Sequence, residues 1–198
     1  MKATFFFDLA SPFTYLAAER VDRMFPGLTW RPALTEALLG GDPLATGAER
    51  EAAQDAAEQR AAQLHLPLVW PDDYPTGAPV AMRVASLAAA EGGHAAAFVL
   101  AASRLAFCGG FDLDDVETLA EAAAAACLSL DGCLDAVSDI RRDGVHEAAA
   151  RGLLAAGASR LPAIRVGRTL LCGEDQIASA AALMHAPPLR PAARRRLA

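Results

Sequence analysis

The chain has no CxxC pair. Its four cysteines, Cys108, Cys127, Cys133 and Cys172, stand apart, so it lacks the neighbouring thiols from which a dithiol oxidase makes its internal disulfide. Cys127 and Cys133 are six positions apart with no histidine at a ligand spacing beside them, so a zinc site is not expected, and no metal is assigned. In a reducing compartment all four stay thiols, and small buried hydrophobes is their ordinary role. Positive charge is also short. Lys and Arg number 18 against 24 Asp and Glu, a formal net charge of -6, which offers no general attraction to nucleic acid or anionic lipid. The single basic run, Arg194-Arg195-Arg196, falls in a Pro-rich tail, residues 186–198, read as a flexible end. No apolar stretch reaches the roughly 18–20 residues that span a bilayer. The opening MKATFFFDLASPF carries a lysine and an apolar run, but Asp8 breaks that run and Pro12 follows, so it reads as structure and not as a secretory leader. A cytoplasmic protein with no membrane and no nucleic-acid partner is the expectation.

What is present fits an ordinary globular chain. Its 198 residues, 54% hydrophobic and 21% charged, suit one domain or one domain with an insertion, and the alanine enrichment favours helix. Residues 3–9, ATFFFDL, read as a buried strand. Ser11-Pro12 reads as a helix start, because serine caps well and proline at the first helical position gives up an N–H that would be unpaired there anyway. Phe13, Leu16, Ala17, Val21 and Met24 then follow at helical spacing, and Pro26-Gly27 stops the helix. Residues 28–34 give a second strand, with Pro32 marking its end or a sheet edge.

The pattern then changes. Residues 38–47 are loop-rich, 49–64 form a polar helix, and 65–79 hold four prolines in a long irregular connection. Helices are expected near 79–91, 93–107, 114–126, 130–141 and 143–156, with no strand among them. Residues 163–166 and 169–172 form a short hairpin through Gly167-Arg168, and residues 174–185 a last helix. The fold class is α/β, with residues 1–36 and 157–185 as one domain and 37–156 as an inserted all-helical one.

Two segments carry the chemistry: FFFDLASPFTYLA, residues 5–17, and SRLPAIRVGRTLLCGEDQI, residues 159–177. A strand leading into a helix N-terminus, a helical block, then a proline before a strand resembles the DsbA-like branch of the thioredoxin superfamily. That resemblance implies a thioredoxin-like fold in which Ser11-Pro12-Phe13-Thr14 stands at the active-site turn and Leu161-Pro162 at a cis-proline. A helix N-terminus favours an anion such as a thiolate. Since Ser11 and Thr14 occupy both cysteine positions, a ligand must bring the sulfur.

Residues 5–17 further resemble the DFxSPYSYLA segment of 2-hydroxychromene-2-carboxylate isomerases and kappa-class glutathione transferases, and residues 161–177 resemble their VPTFVVGGxxFxGQDRL segment. Segments 30–41, 66–77 and 81–92 are similar in order and spacing, so the resemblance covers nearly the whole chain. It implies glutathione as cofactor, a small aromatic-derived substrate and a homodimer. Ser11 would hydrogen-bond the glutathione sulfur. Leu161, before Pro162, would offer its backbone to the cysteinyl unit. Asp175 would pair the γ-glutamyl ammonium, and the amides of Glu174 and Asp175 would receive its carboxylate. The thiolate would add reversibly to a conjugated double bond, allow rotation and leave.

There are departures. The family's K-x-T-G-N-x-P-P stretch reads PLATGAEREA at residues 43–52, which removes an Asn and a Lys. Arg50 and Arg83 are the candidates to replace the basic group. Glu174 stands where a small or amide residue is usual, and its charge is expected to repel a carboxylate. Phe13, Trp70 and Arg83 are assigned to the substrate pocket. Plainer roles stay open: Ser11 as a helix cap, Pro162 as a turn, Asp175 as a first-turn acid, Trp70 as loop packing, Tyr15 as core. The first reading is an isomerase. The alternatives are a kappa-like transferase and a thiol-peptide-binding protein without redox activity.

Overall fold

The computed structural model describes residues 2–41, 44, 46–75 and 77–185, so the tail at 186–198 lies outside the described residues. Four strands form one mixed sheet in the order β2-β1-β3-β4. β1 (Ala3–Phe7) runs parallel to β2 (Thr29–Pro32) and antiparallel to β3 (Ala163–Val166), which pairs antiparallel with β4 (Thr169–Cys172). β2 is an edge strand that ends at Pro32, the two positions a sheet allows a residue without an N–H donor.

The three phenylalanines of β1 divide by strand alternation. Phe5 and Phe7 enter the main core with Trp30, whose ring stands edge-on to Phe5 at 4.9 Å, and Phe6 enters a second core on the opposite face. The sheet is therefore covered on both sides, and β1 reads as a continuous apolar run for that reason.

The first face carries α1 (Pro12–Met24), α4 (Pro79–Ala90), α5 (Ala95–Gly109) and α9 (Ile177–His185). The second carries α2 (Thr35–Leu39) and α8 (Asp143–Ala155), which pack together over Ala33, Leu38, Ala150 and Leu153. α6 (Val116–Ala125) and α7 (Leu130–Ser138) complete the helical block, and α3 (Gly47–Leu64) lies against α1. Much of this packing is alanine on alanine, as with Ala81, Ala85, Ala88, Ala102 and Ala122, which lets helix backbones approach closely.

Three boundaries differ from the sequence expectation. Residues 38–47 were expected as loop, but a helical turn over Thr35–Leu39 intrudes; it buries Leu38 and closes on Gly40 in the left-handed conformation. The helix expected over 130–141 ends at Ser138, and a 3-10 turn over Ile140–Arg142 follows, started by the Asp139 carboxylate accepting from the Arg141 amide. The last helix begins with a 3-10 turn, Glu174–Gln176, ahead of α9. α3 starts at Thr46 with a full capping box. The Thr46 hydroxyl accepts from the Glu49 amide, and the Glu49 carboxylate accepts from the Thr46 amide, satisfying two end donors reciprocally. No described helix is long and apolar enough to cross a membrane.

Candidate active site

The β1–α1 turn is held from beneath by Asp8. This carboxylate is buried; Oδ2 accepts from the Thr35 amide at 2.8 Å and Oδ1 from the Ala10 amide at 3.1 Å. Burial raises its pKa, and those amide donors oppose the shift. The Ser11 amide donates to the Asp8 carbonyl and the Ser11 carbonyl accepts from Thr14. Ser11 takes extended N-cap geometry ahead of Pro12, yet its hydroxyl makes no capping bond. That hydroxyl is half-buried and has no hydrogen-bond partner among the described residues. Its helix-capping role is thus not exercised. Thr14, at the other former cysteine position, is fully buried, and its hydroxyl accepts from the Asp8 amide at 3.3 Å.

Facing this helix start is the loop before β3. The Leu161–Pro162 peptide is cis, as the resemblance implies. The Pro162 carbonyl accepts from the Gly173 amide at 2.7 Å, which ties this loop to the end of β4. Neither the N–H nor the C=O of Leu161 has a hydrogen-bond partner among the described residues, so one residue's backbone donor and acceptor are left unused at the cleft. The amides of Glu174 and Asp175, first in their 3-10 turn, likewise have none.

These segments border one cleft of about 550 Å³. Phe13 comes from α1, Ala56, Arg60 and Gln63 from one face of α3, Arg160 and Leu161 from the proline loop, and Gly173, Glu174 and Asp175 from the loop after β4. Phe13, Leu161, Glu174 and Asp175 are therefore brought together, with Ser11 and Pro162 adjoining in sequence. Trp70 and Arg83 do not line it. Trp70 donates to Glu58 at 2.8 Å and packs on Tyr74, ring centres 4.5 Å apart. The Arg83 guanidinium is spent on a bidentate pair with Asp143, both contacts 2.8 Å, and on the Val137 carbonyl. Arg50 donates to the Leu44 carbonyl and is not at the cleft either. Tyr15 belongs to the core: its hydroxyl donates to the Pro67 carbonyl at 2.8 Å and accepts from the Cys108 thiol, and burial raises its pKa.

Glu174 corrects a second expectation. Its carboxylate, 4% exposed, does not face a ligand. It is gripped by Arg60, Nε to Oε2 at 2.7 Å and Nη2 to Oε1 at 3.1 Å, and by Arg20 from α1. The negative charge that was to repel a ligand carboxylate is neutralised twice over. Asp175, by contrast, is half-exposed, pairs with Arg160 at 2.6 Å and accepts from Gln176 at 2.8 Å. Gly173 suits this position because its φ of +104° is a backbone conformation that L side chains rarely adopt. Sequence reasoning missed Arg20, Arg60, Gln63 and Arg160. The spacing of Ala56, Arg60 and Gln63 marks one helix face, but nothing local says what that face meets.

A family model described as a DSBA-like thioredoxin domain matches residues 3–182. A structure of 2-hydroxychromene-2-carboxylate isomerase superposes with TM-score 0.73 at 19% identity, covering 93% of this chain and 94% of that one. A probable DsbA oxidoreductase from Streptomyces coelicolor gives 0.71 at 20% identity, covering 96% and 93%. The cytosolic disulfide reductase DsbM from Pseudomonas aeruginosa with GSH gives 0.66 at 17%, covering 93% and 97%. No curated protein sequence matches the chain.

Proposed function

The chain belongs to the DsbA-like thioredoxin family, and from that premise we propose that it is a cytoplasmic glutathione-dependent isomerase of the 2-hydroxychromene-2-carboxylate type, acting on a small aromatic-derived unsaturated acid. Glutathione, when bound, supplies a thiolate that adds reversibly to a conjugated double bond and leaves after rotation. The residues at the cleft fit that tripeptide. The unpaired backbone of Leu161 suits an extended cysteinyl unit added as a short strand. The free amides of Glu174 and Asp175 suit a carboxylate, and Asp175 an ammonium.

The observation that carries the reading is the Ser11 hydroxyl. It stands at the positive end of α1, free of any capping bond, and can donate to a sulfur anion there. One charge-assisted hydrogen bond plus the helix end favours the anion over the thiol by roughly 1–2 kcal/mol, about one unit of thiol pKa. Ser11 holds no proton the reaction must remove; it orients the sulfur and stabilises its charge. Dithiol chemistry has no support, since Thr14 is buried and Ser11 cannot form a disulfide. The DsbM structure contains glutathione in this fold, which supports the ligand class without fixing the reaction.

The test is an ultraviolet assay with the chromene carboxylate and glutathione, comparing the native chain with Ser11→Ala. Loss of the hydrogen bond is expected to slow the reaction roughly five- to thirtyfold. An unchanged rate removes Ser11 from the mechanism. Conjugate formation with electrophiles in place of isomerisation points to the kappa-like transferase, and glutathione binding without turnover to a thiol-peptide-binding protein.

A further inference from the structure

We propose that the open end of the second sheet face binds a phosphate dianion, free or carried on an organic ester, between the guanidinium groups of Arg31 and Arg165 and over the hydroxyls of Thr4 and Thr29. These residues lie toward the opposite end of β1 and β3 from the cleft, on the face away from α1. The site therefore stands whether or not glutathione binds.

The sheet register gathers the cluster. Helices α2 and α8 cover one end of this face, around Ala33, Leu38 and Ala163. Phe6 points to the same face, so strand alternation puts Thr4 and Lys2 there too. On β2, Thr29 is the partner of Thr4 and Arg31 the partner of Phe6. On β3, Arg165 is the partner of Thr4. Thr29 and Arg31 are exposed, and Thr4 and Arg165 are half-buried. The Arg165 side chain leans across β1. Its guanidinium carbon lies 5.1 Å from the centre of the Phe6 ring, a cation–π contact that gives the group a seat. Because Phe6 is the sheet neighbour of Arg31, that lean carries one positive charge toward another. Neither guanidinium has an ion pair or hydrogen bond among the described residues, whereas Arg20, Arg60, Arg83 and Arg104 each grip a carboxylate. The hydroxyls of Thr4 and Thr29 have no partner there either. Lys2, exposed, adds a third cation. The groups on offer are all donors: two planar forks, two hydroxyls and an ammonium, on a chain of net -6. Such a cluster is complementary to a compact oxyanion. A phosphate monoester carries about -1.5 to -2 charges at pH 7 and three strong acceptor oxygens. Each guanidinium takes two such oxygens in a fixed fork, and the anion between them removes the repulsion of the two arginines.

Isothermal titration tests this with inorganic phosphate, with glycerol 3-phosphate as the ester, and with chloride at equal ionic strength. Phosphate is expected to bind, and amide resonances of residues 2–6, 29–31 and 164–167 to shift together. The tighter of the two phosphate arms tells whether the ligand is the free ion or an ester. Arg31→Gln and Arg165→Gln are each expected to weaken binding tenfold or more. Arg165→Lys should fall between Arg165→Gln and the native chain, because an ammonium keeps the charge and loses the fork. Melting temperatures report whether losing the Phe6 contact unfolds Arg165→Gln. Arg31 is exposed on an edge strand, so Arg31→Gln decides the matter in that case. Equal affinity in the native and Arg31→Gln chains, or an affinity for phosphate no greater than for chloride, means an adventitious ion only and overturns the proposal.

Discussion

At the scale of single residues, the cleft separates a carboxylate that builds it from one that remains available. Glu174 is nearly inaccessible, while its partners Arg20 and Arg60 keep 19% and 28% of their side-chain surface in contact with solvent. That asymmetry predicts an order of damage. Glu174→Gln frees two guanidinium groups that water can reach, so it is expected to cost about 1–2 kcal/mol of unfolding free energy, at the level of a lost charged hydrogen bond. The double substitution Arg20→Ala with Arg60→Ala strands a buried carboxylate and is expected to cost about 3–5 kcal/mol. Urea denaturation of both variants checks this, and the reverse order would mean that Glu174 is not the buried member of the network. Arg60 carries the same signature, its pKa raised first by the hydrogen bond to Glu174.

At the scale of elements, α8 is joined to α4 through a buried polar pair as well as through alanines. Ser86 Oγ lies 2.5 Å from His146 Nε2, and both residues are buried. Burial lowers the pKa of His146; the nearby Asp143 pulls it up, while Arg83 and Arg142 push it further down. The folded state therefore binds fewer protons at this site than the unfolded chain, whose histidine titrates near 6.5. Its contribution to stability is present above that pH and is lost as pH falls through the lowered folded value. Thermal melts between pH 7.5 and 5 are expected to fall, and His146→Gln to flatten the slope; an equal slope in both sinks the assignment. The elements themselves were largely legible in the sequence. β1, α1, α4, α5 and the hairpin at 163–172 carry strong apolar periodicity or turn chemistry, and their positions agree with expectation. α2 was hidden because five residues show no helical period, and what folds them is Leu38 dropping into the second core. Of the candidate cleft's lining, Phe13, Leu161, Glu174 and Asp175 were legible because their signals are local. The facing surface of α3 was not, because Arg60 meets Glu174 across 114 positions.

At the scale of the molecule, the cleft is made where two parts of the chain meet. Its floor comes from α1 and from the loops beside β3 and β4; its other wall comes from α3, far away in sequence. A ligand held there bridges these parts, so its binding energy acts on the whole folded chain and not on one loop. Binding to the folded state alone stabilises by about 2.7 kcal/mol at a hundredfold excess over the dissociation constant. For a chain of this size that corresponds to a rise in melting temperature of roughly 5–10 °C. Glutathione is expected to produce such a shift, and amide hydrogen exchange should slow in residues 11–16, 56–64 and 160–177 together. Protection confined to residues 160–177 would detach α3 from the site, and with it Arg60 and Gln63. Protection of α3 in step with the proline loop would show that the Lys missing from the family's usual pattern at residues 43–52 is replaced by Arg60, further along α3.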